Sequence, residues 1–413
     1  MKKSLSLTVF PCALLGALSS APSIALDWSL EAGIEGRRFI AEAAYPKQVN
    51  DQWSLSLQPE MVWDSEGGNG RFTLTPFYRY DHADSERTHA DIREAMYMTW
   101  DGQWEVRAGI GRVFWGVTES LHLVDVINQT DLVESSDGEE KLGQPMVQAM
   151  WYGDSGTWEA FVLPGFRERT FPGEEGRMRF PYVVEEEALY QANAEERHTD
   201  LALRWSNTFE LSGYSLDLST SVFRGTSREP LYVPNLAIVG TEPVVTGLTA
   251  FYPMQNQIGA TVQFAPEGWL LKAELLHRDI QIEELGGTEV KDQTAAVTGF
   301  EYTVVGPMDT AIDLGLLLEY QYDSRGTDAL AQNDVFLGTR FAFNDMASSE
   351  ILAGITQDLD DTASYFFLLE GTTRLNPSTT MDVTLFAVEA GTDDPLSAFR
   401  RDDSVEVGLN FYF

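Results

Sequence analysis

Ser120, His122 and Asp125 stand within one short stretch, GRVFWGVTESLHLVDVINQTDLVES, which runs from Gly111 to Ser135. A hydroxyl, an imidazole and a carboxylate can together carry acyl transfer: the ring takes the serine proton and the carboxylate orients the ring. Glu119, His122 and Asp125 could equally offer oxygen and nitrogen ligands to a divalent metal. Neither pattern is specific. Triads are defined by geometry rather than adjacency, and this spacing matches no nucleophile motif. The ligand set is generic, and Cys12, the only cysteine, cannot sharpen it from a position so near the N-terminus. No glycine-rich phosphate loop of the P-loop kind occurs. We therefore assign no catalytic residue, no cofactor and no metal, and the chain is not expected to be an enzyme.

The elements around this stretch have to be read next. Lys2 and Lys3 precede an apolar run from Leu5 to Leu18, followed by small residues up to Ala25. This is the grammar of a secretory signal, with cleavage expected after Ala25. Residues 1–25 are thus expected to be a signal peptide, and 26–413 one domain. The chain holds 64 acidic and 28 basic residues, for a net charge of −36. Phosphates would be repelled, so no nucleic-acid partner is expected. Solvated carboxylates that keep loops soluble explain the acidity, and a cation-attracting surface is the sharper reading.

Beyond residue 25 no apolar run approaches the length of a membrane helix. Segments of about ten residues alternate with period two instead. In WLLKAELLHR, Trp269, Leu271, Ala273 and Leu275 oppose Lys272 and Glu274; in TAIDLGLLLEYQ, Leu314, Leu316, Leu318 and Tyr320 oppose Asp313 and Glu319. In QWEVRAGIG, Trp104, Val106, Ala108 and Ile110 oppose Glu105 and Arg107. An apolar face backed by charges suits a wall with lipid outside and water inside. The chain ends in DSVEVGLNFYF, where Val405, Val407, Leu409, Phe411 and Phe413 share one face. This strand resembles the closing strand of Gram-negative outer-membrane barrels, which implies that Leu409, Phe411 and Phe413 form the assembly signal read by the barrel-assembly machinery.

Short turns alternate with long polar connections. Tight turns are expected at 101–102, 153–156, 211–213, 266–268, 305–309, 344–349 and 376–379, and long connections at 81–90, 112–144, 164–198, 224–254, 280–292, 322–332 and 391–402. The expected fold is all-β: a transmembrane antiparallel β-barrel of roughly 18 strands, with 16 as the alternative and both termini periplasmic. Trp53, Trp63, Trp100, Trp104, Trp151, Trp158, Trp205 and Trp269 would supply the interfacial girdles. A barrel of this size leaves an aqueous lumen. The expected function is a porin-like passage for a small solute of unknown identity across the outer membrane. Lipid and lipopolysaccharide are its surroundings, and self-association into a homo-oligomer is left open. An exporter conduit for apolar molecules, or a surface structural or receptor barrel, is the alternative.

The opening stretch then acquires a third use. Gly109 and Gly111 would face inward at the top of a strand, and the connection up to Gln144 is too apolar for a solvated loop, with Val113, Phe114, Trp115, Val117, Leu121, Val124 and Ile127 among its members. Loops of this length are usually functional or disordered. We expect it to fold into the lumen as a constriction over about 112–142, with Arg112, Trp115, Glu119, Asp125, Asn128 and Asp131 as the constriction candidates. Glu119, Asp125 and Asp131 would present carboxylates to the water and favour cations, with Arg112 as counter-charge. Gly111-Arg112, Trp115-Gly116, Glu119-Ser120 and VINQTD at 126–131 also resemble the signature of a poorly characterised proteobacterial outer-membrane β-barrel family known by a domain-of-unknown-function label. Two departures separate the chain from that pattern: Val117 and Thr118 interrupt it, and Gln129 stands where the family has proline. The resemblance implies a transport-type barrel and names no substrate.

Two further loops carry marks. Residues 165–187 hold Arg167, Arg169, Arg177 and Arg179 beside a run of acids, which could pair with that run or with lipopolysaccharide phosphates. Residues 231–253 are apolar with prolines and are expected to cap the mouth or touch a partner barrel.

Overall fold

Strands form where the two-residue alternation is cleanest, and each pairs with its neighbours along the chain. A computed structural model describes residues 26–135, 138–392 and 394–413 of the protein. The expected signal segment, 1–25, lies outside the described residues. The main sheet has 18 strands, from Leu26–Phe39 to Ser404–Tyr412. All its pairings are antiparallel, and the first strand pairs with both Asp51–Asp64 and the last strand, so the sheet closes on itself. Phe413 extends this seam: its N–H donates to the Leu30 carbonyl at 3.0 Å, and its carbonyl accepts from the Leu30 N–H at 3.1 Å. Closure leaves no edge with unpaired backbone groups, the condition lipid imposes on a spanning sheet. Among the described residues there is no α-helix, only short 3₁₀ turns.

Side chains sort as the alternation predicts. On the strand Trp269–Ile280, Trp269, Leu271 and Leu275 are 42%, 40% and 52% exposed, while Lys272 and Glu274 fall to 9% and 0%. Apolar side chains therefore cover the outside, and charged ones are buried within. Trp53, Trp100, Trp104, Trp158 and Trp269 are exposed on this outer surface.

All seven expected tight turns fall at one end of the barrel, between paired strands. The seven expected long connections fall at the other end. A further turn at 65–69 and two connections, 40–50 and 359–364, join them without having stood out in the sequence. IAEAAYPKQVN at 40–50 is apolar and lacks glycine, and LDDTAS at 359–364 is brief. At the long-loop end, Leu231–Val239 and Glu242–Tyr252 form a hairpin that adds Leu189–Tyr190 as a parallel third strand. Ala250 and Tyr252 of this hairpin are buried with Phe166, and Phe171, Val184 and Tyr190 pack against them. The main hydrophobic core lies inside the barrel, where residues of the 112–143 loop meet the inner wall.

Candidate functional site

The 112–143 loop leaves the strand Trp104–Gly111 and returns to Gln144–Gly153, two strands that pair directly. Its two legs are clipped together by Asn128. The Asn128 amide donates to the Gly111 carbonyl at 2.9 Å and the Leu142 carbonyl at 2.8 Å, and its oxygen accepts from the Val113 N–H at 2.9 Å. Gly143 makes the return possible: a Cβ there would stand 2.4 Å from the Ile92 carbonyl oxygen.

Against the near wall the loop buries its apolar side. Trp115, Val124, Val126 and Ile127 join Met96, Met146, Phe161, Leu163 and Phe223 in one buried cluster. Trp115 meets Phe161 edge to face at 5.6 Å, and the Arg204 guanidinium lies 5.7 Å from its ring. Burying aromatic area in this way contributes a few kcal/mol and ties the loop to the strands. Polar anchors flank the cluster. Asp131 accepts from Arg93 at 2.7 Å and from the Thr170 hydroxyl at 2.7 Å. Arg228 donates to the Ile127 carbonyl at 3.0 Å and to the buried Asp200 carboxylate at 2.6 Å. These ion pairs are buried, so losing one partner would strand a charge in a dry setting.

The loop then continues round the inner wall to the strands beyond the cluster. Glu274, fully buried on Trp269–Ile280, accepts from the N–H groups of Val117 at 2.6 Å, Thr118 at 3.1 Å and Val124 at 3.1 Å, and from the Thr118 hydroxyl at 2.8 Å. Glu319, buried on Asp313–Asp323, accepts from the N–H groups of Glu119 and Ser120, each at 2.8 Å. Backbone donors to a carboxylate are strong hydrogen bonds, and they replace the water that both groups lose. The Glu119 side chain is half-exposed and meets Arg340 at 2.7 Å and Lys272 at 3.6 Å.

Charges near the tip are tied within the loop. His122 Nε2 lies 3.0 Å from Glu139, and its ring meets Phe114 edge to face at 4.7 Å. Burial opposes the charged imidazole, but the hydrogen bond and charge of Glu139, with the charges of Glu274 and Asp125, outweigh it and raise the His122 pKa. The buried Asp125 carboxylate lies 3.5 Å from Lys141 Nζ, and burial raises its pKa. Between the loop, the inner faces of the first and the last strands and the outer loops lies a cavity of about 1000 Å³.

Several expectations need correction. Asp125 and Asp131 do not present carboxylates to this cavity: both are buried, one beside Lys141 and the other on Arg93. Burial costs each carboxylate its hydration, and the neighbouring cation offsets part of that cost; the partners lie far apart along the chain, so no spacing rule reveals them. Trp115 and Asn128 are likewise buried, as wall anchor and clip. Of the constriction candidates, Arg112 and Glu119 line the cavity. Arg112 lies 3.5 Å from Glu140. Ser120 donates its hydroxyl to Glu319 while His122 turns to Glu139, so the two are not joined as a nucleophile and base would be. The arginines of 165–187 turn inward as well: Arg167 meets Asp91 at 2.9 Å, Arg177 meets Asp402 at 2.7 Å, and Arg179 is buried. Lipopolysaccharide phosphates outside the barrel are therefore not what Arg177 and Arg179 face.

Glu274, Glu319, Arg93, Arg228 and Asp200 were not among the site candidates. The signal for the first two was their position on the inward face of an otherwise lipid-type strand, where a charge needs a partner.

No family model matches the chain, and no curated protein matches it. Solved structures do. A Pseudomonas putida OprB structure shares 11% identity at a TM-score of 0.45, covering 94% of this chain and 94% of its own. A triple mutant of the Rhodopseudomonas blastica porin shares 13% identity at a TM-score of 0.41, covering 94% of this chain and 100% of its own. The chain is thus similar to porins over nearly its whole length, at low sequence identity.

Proposed function

We propose that this protein is an outer-membrane channel of porin type, and that its 112–143 loop is the constriction. One observation carries the reading: the same loop is anchored through Asp131 to Arg93 and through Glu119 and Ser120 to Glu319, on strands half the barrel apart, with Trp115 and Glu274 between. A segment held at both sides of a lumen divides it and narrows what remains. The outward apolar face and the closed sheet support residence in a bilayer, with lipid and lipopolysaccharide as its surroundings. Insertion by the barrel-assembly machinery and delivery by a cleaved signal go with that location. The passenger is a small solute.

Glu119 is one of several carboxylates that line the cavity, Glu31, Glu140 and Glu406 among them, and Arg37, Arg79 and Arg112 line it too. Lys272 and Arg340 stand against the Glu119 carboxylate, so the bias toward cations is weak. Planar-bilayer recording on the refolded chain tests both points. Steady channels with a reversal potential near zero, moved toward anions by Glu119→Gln, are the expected outcome. A silent bilayer would defeat the channel reading.

A further inference from the structure

The later strands depart from the usual watery lining. Inward positions of a large barrel are ordinarily polar, yet here Phe336, Leu352, Phe366, Leu368 and Phe386 all line the cavity. They come from four strands in succession: Asn333–Ala342, Glu350–Asp358, Tyr365–Asn376 and Thr379–Glu389. Register gathers them. Leu368 faces Gly354 on one side and Phe386 on the other, and Phe366 sits one inward row away, opposite Thr356. Two glycines shape the surface. A Cβ at Gly338 would stand 2.8 Å from the Phe336 ring, and one at Gly354 would stand 2.2 Å from it. The Phe336 ring therefore lies over both glycines, flat on the wall, and leaves the cavity in front of it open.

A cation overlooks the same cavity from the outer loops. Arg179 is 8% exposed and lines the cavity. Its Nη1 donates to the carbonyls of Phe180 at 2.7 Å and Pro181 at 3.3 Å, while its buried Nε has no hydrogen-bond partner. Among the described residues no carboxylate forms an ion pair with it, whereas nearby Arg177 holds Asp402 at 2.7 Å. Its neighbour Phe180 touches Phe399, which also lines the cavity. The guanidinium also lies over the Tyr45 ring, 4.4 Å from its centre. A buried guanidinium with no ion-paired carboxylate, above an apolar wall, is half of a binding site.

We propose that this cavity binds an amphiphilic monocarboxylate, with its carboxylate on Arg179 and its apolar body along Phe336, Leu368 and Phe386. The guanidinium offers the donor that is now unused, and an oxyanion satisfies it best. The volume is of the order that takes a drug-sized molecule. The proposal deepens the channel reading and rests on it: the passenger would be such a molecule.

The test uses the full mature chain in nanodiscs of zwitterionic lipid, with dansylated undecanoate as probe and the corresponding dansylated alcohol as comparison. Saturable binding of the carboxylate, about tenfold tighter than the alcohol, is expected. Arg179→Gln should remove that tenfold difference and leave the alcohol's binding as it was. Leu368→Ser with Phe386→Ser should weaken both probes. The comparison of the two probes on the unaltered chain needs no variant to fold. Equal binding of the two probes overturns the proposal, as does binding that the wall variants, inserted and heat-modifiable, do not weaken. Conductance is read separately on the unaltered chain. A chain that conducts but binds neither probe sinks this proposal and spares the channel. A silent chain that binds the carboxylate selectively supports the site and sinks the open channel.

Discussion

At the scale of single residues, the buried carboxylates inside the barrel act as fasteners. Glu274 collects backbone donors from Val117, Thr118 and Val124. Glu274→Ala would leave those buried N–H groups without an acceptor, at about 1–3 kcal/mol for each group that water cannot reach. The far side of the loop should come free, raising single-channel conductance and opening residues 117–124 to protease. Unchanged conductance with a protected loop would show that this anchor does not hold the constriction. His122 gives a pH-dependent handle on the same loop. Its folded pKa is raised above the ordinary 6.5, because the attraction of Glu139 exceeds the cost of burial. The stabilisation it lends is therefore complete below about 6.5 and fades as pH climbs through the higher folded value. The difference in melting temperature between the protein and His122→Gln should shrink over that rise, and the ring should titrate late by NMR. A ring that titrates below 6.5 would contradict the pairing with Glu139.

Among the elements, the closing strand carries the most consequence for one residue. Phe413 pairs with Leu30 through both of its backbone groups, so the last rung of the seam depends on the terminal residue. Leu409 faces Ile34 across the same seam with its side chain on the outer surface. Deleting Phe413, or making Leu409→Asp, should leave the chain in the periplasm, since a charge on the lipid face near mid-membrane costs about 2–4 kcal/mol and the seam loses its end. Heat-modifiable barrel in the outer membrane at normal yield, after either change, would refute that role. The 112–143 loop is the other decisive element. Its described residues have no regular secondary structure beyond isolated bridges such as Thr130 with Lys141. Its shape is imposed by its contacts: Asn128 at the root, then Trp115, Glu274 and Glu319 round the inner wall.

For the whole molecule, orientation follows from the ends. All short turns and both described chain ends share one end, and long loops crowd the other. In a cell the long-loop end should face outward. Cysteines placed at Glu175 and Asp394 should react with an impermeant maleimide on intact cells; a third choice, Asp137, lies outside the described residues. Labelling that requires a permeabilised outer membrane would invert the barrel.

How far each scale was legible depends on the range of the interaction. Strand alternation, turns and the closing strand are local: a period of two, or a tight turn, is written in consecutive residues. The barrel, its strand number near 18 and the grouping of short turns at one end were accordingly readable before any coordinates. What could not be read was which charge meets which. Asp131 finds Arg93, and Val117 finds Glu274, across long stretches of chain. Those partners are brought together by closure of the sheet, and no periodicity encodes them. The same holds for the apolar wall. Phe336, Leu368 and Phe386 look like ordinary strand residues one by one, and the register alone makes them neighbours facing a cavity. The amino-acid order by itself determined a lipid-facing barrel with a loop too apolar for water. Only the tertiary structure decided which carboxylates that loop buries, which it leaves at the cavity, and which arginine stands there without an ion-paired carboxylate.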